Sequence, residues 1–147
     1  MTAENFKVHF RVQQDEDGYP PVSVESMWVS AALPEGNFVV DSIPFFSREA
    51  TVGDTIEARE AVGGLWFCRI VACAPCSLVR VVFFDRTRLD PVREVLHGLG
   101  CATEYFGRFP LLAVSIPLDT SLTQVRSYLD EEEAAERIEY EEVILRH

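Results

Sequence analysis

Cys73 and Cys76 stand in a C-x-x-C pair, the spacing used by thiol-disulfide enzymes when the first thiol is activated at a helix N-terminus. Here residues 65–72 and 77–84 on either side are rich in β-branched and aromatic side chains and read as strands. The activating helix is missing from that pattern, so ordinary thiols are expected. A zinc centre needs four ligands, and Cys68, Cys101 and the three histidines His9, His97 and His147 supply no second C-x-x-C and no H-x-x-x-H. No histidine accompanies a nucleophile motif such as G-x-S-x-G, so no catalytic residue is assigned. Neither a metal nor a cofactor is expected.

Four charged residues are set among apolar ones: Glu25, Arg48, Asp54 and Arg80. A charge in such surroundings is costly to bury unless it is paired, so salt bridges joining the two halves of the chain are expected. The functional alternative is a pocket in which Arg48 or Arg80 grips a carboxylate or phosphate bidentately. Phe45 and Phe46 are adjacent, and in an extended chain consecutive side chains face opposite ways. One of them is therefore a candidate interface anchor, as are Trp28 and Trp66. The run Asp130, Glu131, Glu132, Glu133, continued by Glu136, Glu139, Glu141 and Glu142, predicts a strongly negative surface near the C-terminus. Such a surface is either a solvated face or a recognition site for a basic protein.

The whole chain shares that bias. Over 147 residues, 24 acidic and 13 basic side chains leave a net charge of -11, which repels nucleic-acid phosphates and anionic lipid. The basic residues are scattered singly, with Arg86-Thr87-Arg88 the one small cluster, so nucleic-acid binding is the least expected function. Hydrophobic residues at 48% and charged ones at 25% are ordinary for a globular protein. The longest apolar run, Leu78 to Phe84, is interrupted by Arg80 and is too short for a bilayer. Residues 1–5 lack the basic and apolar regions of a secretory signal, so a cytoplasmic protein with reduced thiols is expected.

The elements that must position these residues follow from periodicity and turn chemistry. Phe6 to Val12 alternates apolar and polar, with Lys7, His9 and Arg11 on one side, and reads as a strand. Strands are also predicted over 22–33, 38–40, 55–61 and 65–72, separated by Pro34-Glu35-Gly36-Asn37, Gly53-Asp54 and Gly63-Gly64. From residue 77 the order becomes strand, helix, strand, strand, helix, strand. Asp90 is the expected N-cap of the first helix, with Pro91 next and Gly100 as its stop. Ser121 and Gln124 form a capping-box pattern at the start of the second. The expected fold is therefore α+β: an all-β subdomain over 1–76, a small sheet or partial barrel, packed on a ferredoxin-like βαββαβ subdomain over 77–147 as one compact unit.

Several short motifs occur in a fixed order: Gly18-Tyr19-Pro20-Pro21-Val22, Glu25-Ser26-Met27-Trp28, Ile43-Pro44-Phe45-Phe46-Ser47-Arg48, Gly53-Asp54 and Ser77-Leu78-Val79-Arg80-Val81. In this the chain resembles a bacterial family catalogued as domain of unknown function 4265, over most of its length. Where the family approaches the Ser-x-x-Arg-Val segment through glycines, this chain has Cys73-Ala74-Pro75-Cys76. The resemblance implies no reaction, since the family is uncharacterised.

Acidity, candidate aromatic anchors and the lack of a catalytic constellation together point to a non-enzymatic protein-binding module. An immunity protein or antitoxin that covers a basic toxin would fit. A metabolite-sensing domain that dimerises through a sheet face is the alternative, on fold analogy, and a thiol enzyme using Cys73 and Cys76 is the second. The candidate binding residues are Trp28, Phe45, Phe46, Arg48, Asp54, Arg80, Asp130, Glu131, Glu132 and Glu133. The expected partner is another, basic protein, with a homodimer admitted and no nucleic acid or membrane.

Overall fold

A computed structural model describes residues 5–147, and the signal-free reading of the N-terminus falls mostly on residues 1–4, outside them. The chain divides into two compact units, Met1–Ala74 and Pro75–His147. In the first, β1 (Asn5–Arg11), β2 (Val24–Ala32), β3 (Asn37–Val40), β4 (Thr55–Ala61) and β5 (Gly64–Ala72) form a closed barrel in sequence order. Alternation decides what lies inside. Val8 and Phe10 on β1 and Met27 and Val29 on β2 are buried with Phe38, Val40, Ile56 and Ala58. The residues between them, Lys7, His9 and Arg11 on β1 and Ser26 and Trp28 on β2, point outward.

The partial barrel expected from sequence is closed by a parallel pairing of β1 with β5, Val8 opposite Leu65 and His9 opposite Trp66. Such a contact joins residues more than fifty positions apart, and no local pattern announces it. The Gly63-Gly64 turn makes it sterically feasible: a Cβ on Gly64 would come within 3.2 Å of the His9 ring. His9 Nε2 donates to the Gly63 carbonyl at 3.1 Å.

In the second unit β6 (Cys76–Phe83), β7 (Ala102–Tyr105), β8 (Leu111–Pro117) and β9 (Ile138–Ile144) form a sheet of order β7-β8-β6-β9. All three neighbouring pairs are antiparallel. Helices α1 (Leu89–Leu99) and α2 (Leu122–Ala134) supply Val92, Leu96, Val125 and Leu129 to a core with Val79, Val81 and Phe83 of β6 and Leu112, Val114 and Ile116 of β8. The acidic strand β9 lies at an edge, where carboxylates keep their hydration.

The start of α1 differs from the expectation. Asp90 lies inside the first turn, and the N-cap position of α1 is Arg88, whose side chain makes no capping hydrogen bond; the carboxylate that caps is Asp85, at the head of the preceding 3-10 turn, accepting from the Thr87 amide at 3.0 Å and its hydroxyl at 2.6 Å. A single 3-10 turn, Arg86–Arg88, leads from there into the helix. A proline is tolerated throughout the first turn, so Pro91 marks the turn but not its first residue. The other end matches: Gly100 closes α1 in the left-handed conformation with φ 109. On α2 the Ser121 hydroxyl caps as expected, accepting from the Gln124 amide at 3.2 Å.

Gly53 is a position closed to a side chain. Its φ is +86, and a Cβ there would lie 2.9 Å from the Ala74 Cβ. Gly53→Ala is expected to cost about 1–2 kcal/mol, from the left-handed backbone and the overlap together. Thermal unfolding should show a clear drop in Tm, and an unchanged Tm would mean that the segment gives way freely.

Candidate functional site

The irregular segment between β3 and β4 is held by two carboxylates. Glu25 accepts from three successive backbone amides, Phe45 at 2.6 Å, Phe46 at 3.1 Å and Ser47 at 2.7 Å. Asp54, fully buried, accepts from Thr51 at 3.0 Å and Ala74 at 2.7 Å. The expected four-residue salt-bridge network is thereby corrected at Glu25, whose carboxylate serves backbone donors that a strand ladder would otherwise have paired. Phe46 is buried while Phe45 is half-exposed, and Arg48 is exposed. Arg80 is buried on β6, in register with Ala113 of β8 and Glu141 of β9.

The acidic C-terminal surface is real but is not uniform. Glu132 is only 4% exposed and accepts from Nε and Nη2 of Arg88, from Arg137 at 3.5 Å and from the Tyr128 hydroxyl at 3.3 Å. Burial pushes its carboxyl up, but the hydrogen bonds and charge of Arg88, aided by Arg137 and Tyr128, outweigh this and hold it below 4.5. A surface partner therefore does not reach Glu132. In α2, Val125, Leu129 and Glu132 fall at i, i+4 and i+7, which carries Glu132 onto the buried stripe of the helix. Asp130 and Glu133 are exposed yet anchored on Tyr140, Asp130 accepting from its hydroxyl at 2.6 Å and Glu133 from its amide at 3.2 Å. Glu131 is exposed. Arg126 and Glu142 form a bidentate pair at 2.6 and 2.7 Å that lowers the Glu142 carboxyl as well.

Where α2 hands over to β9 lies an open concavity of about 490 Å³ lined by Phe84, Glu133, Glu136, Ile138 and Glu139. Phe84, just past the end of β6, is 63% exposed. Sequence reasoning missed it by assigning it to the strand. Glu136, on the rim, has φ 60, and it is the one described non-glycine residue in the left-handed region. That conformation ordinarily favours glycine at a helix C-terminus.

The barrel carries a different surface. Trp28 is 51% exposed with the Lys7 ammonium 4.7 Å from its ring centroid, and Arg11 lies at the same distance over Trp66. His9 sits between them, its Nδ1 2.6 Å from the Ser26 hydroxyl and its ring 5.1 Å from that of Trp66.

Of the cysteines, Cys68 and Cys73 are exposed, while Cys76 opens β6 and is buried with Cys101. Burial pushes the Cys101 thiol up to about 11, which makes it a poor nucleophile. Among the described residues no group of three or more His, Cys, Asp or Glu is placed to hold a metal ion.

A family profile described as Domain of unknown function (DUF4265) matches residues 25–140. No curated protein matches the chain. A solved structure described as a "hypothetical protein from Neisseria gonorrhoeae" has the same fold, with a TM-score of 0.76 at 19% identity over 97% of each chain.

Two outcomes are expected from these contacts. Glu25→Ala strips a charged acceptor from three amides, so it should cost about 1.5–3 kcal/mol and raise hydrogen exchange at Phe45, Phe46 and Ser47. Unchanged protection there would show that the carboxylate is dispensable. Glu132 and Glu142 titrate lower in the folded chain than in the unfolded one. Their stabilisation is thus complete above the ordinary carboxylate range and is lost as pH falls through their lowered values. Glu132→Gln should destabilise the protein at neutral pH by about 2–3 kcal/mol, below the roughly 3–5 of a fully buried pair because Arg88 keeps some water. It should also flatten the fall of stability below about pH 5. An acid unfolding curve of the same slope as the wild type would refute this assignment.

Proposed function

The chain belongs to the DUF4265 family, and we propose that it is a protein-binding module whose concavity beside Phe84 receives a basic partner. An immunity protein or antitoxin that neutralises a basic toxin is the role this reading favours. The observation that carries it is the combination in one depression of an exposed phenylalanine, an apolar floor at Ile138 and three rim carboxylates, Glu133, Glu136 and Glu139. An arginine or lysine of a partner would stack on the Phe84 ring while its charge meets the carboxylates, the arrangement expected of an interface anchor. The surplus of acid over base adds long-range attraction and a fast, salt-sensitive association.

Glu136 supports the same reading. A glycine in its place would relieve the left-handed backbone, so holding a carboxylate there costs stability that recognition of a cation would offset. The second unit we read as a ferredoxin-like βαββαβ domain, which its sheet order β7-β8-β6-β9 and the two helices support. The free cysteines Cys68 and Cys73, both exposed, suit a cytoplasmic protein. Among the described residues no helix is long and apolar enough to cross a membrane.

The test pairs binding with stability. Tagged protein should retain a basic protein in stoichiometric amount from lysate of its own cells at low salt, and release it at high salt. Phe84→Ala and Glu139→Lys should abolish retention. Glu136→Gly should weaken retention while stabilising the fold by about 0.5–1 kcal/mol. Retention unaffected by Phe84→Ala, or no basic protein retained by the wild type, would overturn the proposal.

A further inference from the structure

We propose that the outer face of the barrel across β5, β1 and β2 is a binding site for single-stranded nucleic acid, with Trp28 and Trp66 as stacking platforms and Lys7 and Arg11 as phosphate contacts. This goes beyond the acidic concavity and does not depend on it, since every residue involved lies in the first unit.

The argument starts from register. Lys7, His9 and Arg11 are successive outward positions of β1, so they form a stripe roughly 13 Å long. The strands on either side each contribute a tryptophan, Trp28 opposite Lys7 on β2 and Trp66 opposite His9 on β5. The two tryptophans therefore flank the stripe, their backbone positions about 12 Å apart diagonally across the sheet. The other outward side chains of β2 near it are Val24, Ser26 and Ser30, which are uncharged. Of the carboxylates near its margins, Glu57 pairs with Arg59 at 3.3 Å and Arg69 at 3.5 Å and Asp41 accepts from the Ser30 hydroxyl, while Glu60, in register with Leu65, is exposed. In sequence the basic residues look scattered; on the barrel they share a face with both tryptophans of the chain.

Cations interleaved with indole faces on a barrel are the means by which single strands are held without base-specific readout. The chemistry separates this ligand from its competitors. A duplex hides its base faces and could use only the cations. An acidic polypeptide offers an aromatic plane only where its sequence carries one, whereas a single strand presents a base with every phosphate. The net charge of -11 is no bar over so short a site, because at physiological salt repulsion from carboxylates beyond about 8 Å is largely screened.

The experiment is a titration of the full chain with ten-nucleotide oligothymidylate and oligouridylate, read by tryptophan fluorescence, at salt from about 50 to 200 mM. Expected are quenching and a slope of log K against log salt of about -1.4, two single-strand phosphates at roughly -0.7 each. Trp28→Ala, at an exposed position, should weaken binding by roughly 5- to 150-fold while leaving the circular dichroism spectrum unchanged. Lys7→Gln should reduce the slope by about 0.7. The proposal fails if neither oligonucleotide quenches up to millimolar concentration, or if Trp28→Ala binds as the wild type does. It fails also if polyglutamate quenches as strongly as the oligonucleotides, which would reassign the face to an acidic protein.

Discussion

The first unit depends on how its unpaired backbone amides are satisfied. Between β3 and β4 the chain leaves the sheet for fourteen residues, and most of Ile43 to Ser47 is buried there. A buried amide without an acceptor costs as much as a lost hydrogen bond or more. Two carboxylates answer that constraint, Glu25 for three amides and Asp54 for two. This explains why the acids sit among apolar neighbours: a charged acceptor can serve several donors at once, which no neutral side chain does as well. It also ties the loop to β2 and the start of β4 to the end of the barrel at Ala74.

Charge is distributed in the second unit by the same economy. The surplus of acid gives α2 and β9 a negative exterior, yet the acid with the most partners, Glu132, is inside, clasped by Arg88, Arg137 and Tyr128. A buried carboxylate with a guanidinium fork fixes the approach of α2 to the turn that begins α1, whatever its net contribution to stability. Its neighbours Asp130 and Glu133 are turned toward Tyr140 and so hold α2 against β9. What remains for a partner is the group around Phe84, where Glu136 and Glu139 join Glu133 on the rim of the concavity.

Helix periodicity and binary alternation carried most of the architecture. The order of strands and helices, the Gly100 stop, the Ser121 cap and the two faces of β1 were all legible, because each depends on residues close together in sequence. The start of α1 was not, since proline is tolerated across the first turn and so leaves the first residue ambiguous. Phe84 was assigned to a strand because its apolar neighbours continue the pattern up to it.

What the sequence by itself determined is the class of fold, the family and the negative balance of charge, all properties of local pattern and composition. Only the tertiary structure decided which charged residues are surface and which are framework. Glu25 and Glu132 look like their exposed neighbours until the chain folds, because desolvation and partner geometry are set by segments far apart in sequence. The gathering of Lys7, His9, Arg11, Trp28 and Trp66 has the same origin: the closing β1–β5 pair joins strands more than fifty residues apart, and a contact of that range leaves no trace in local periodicity.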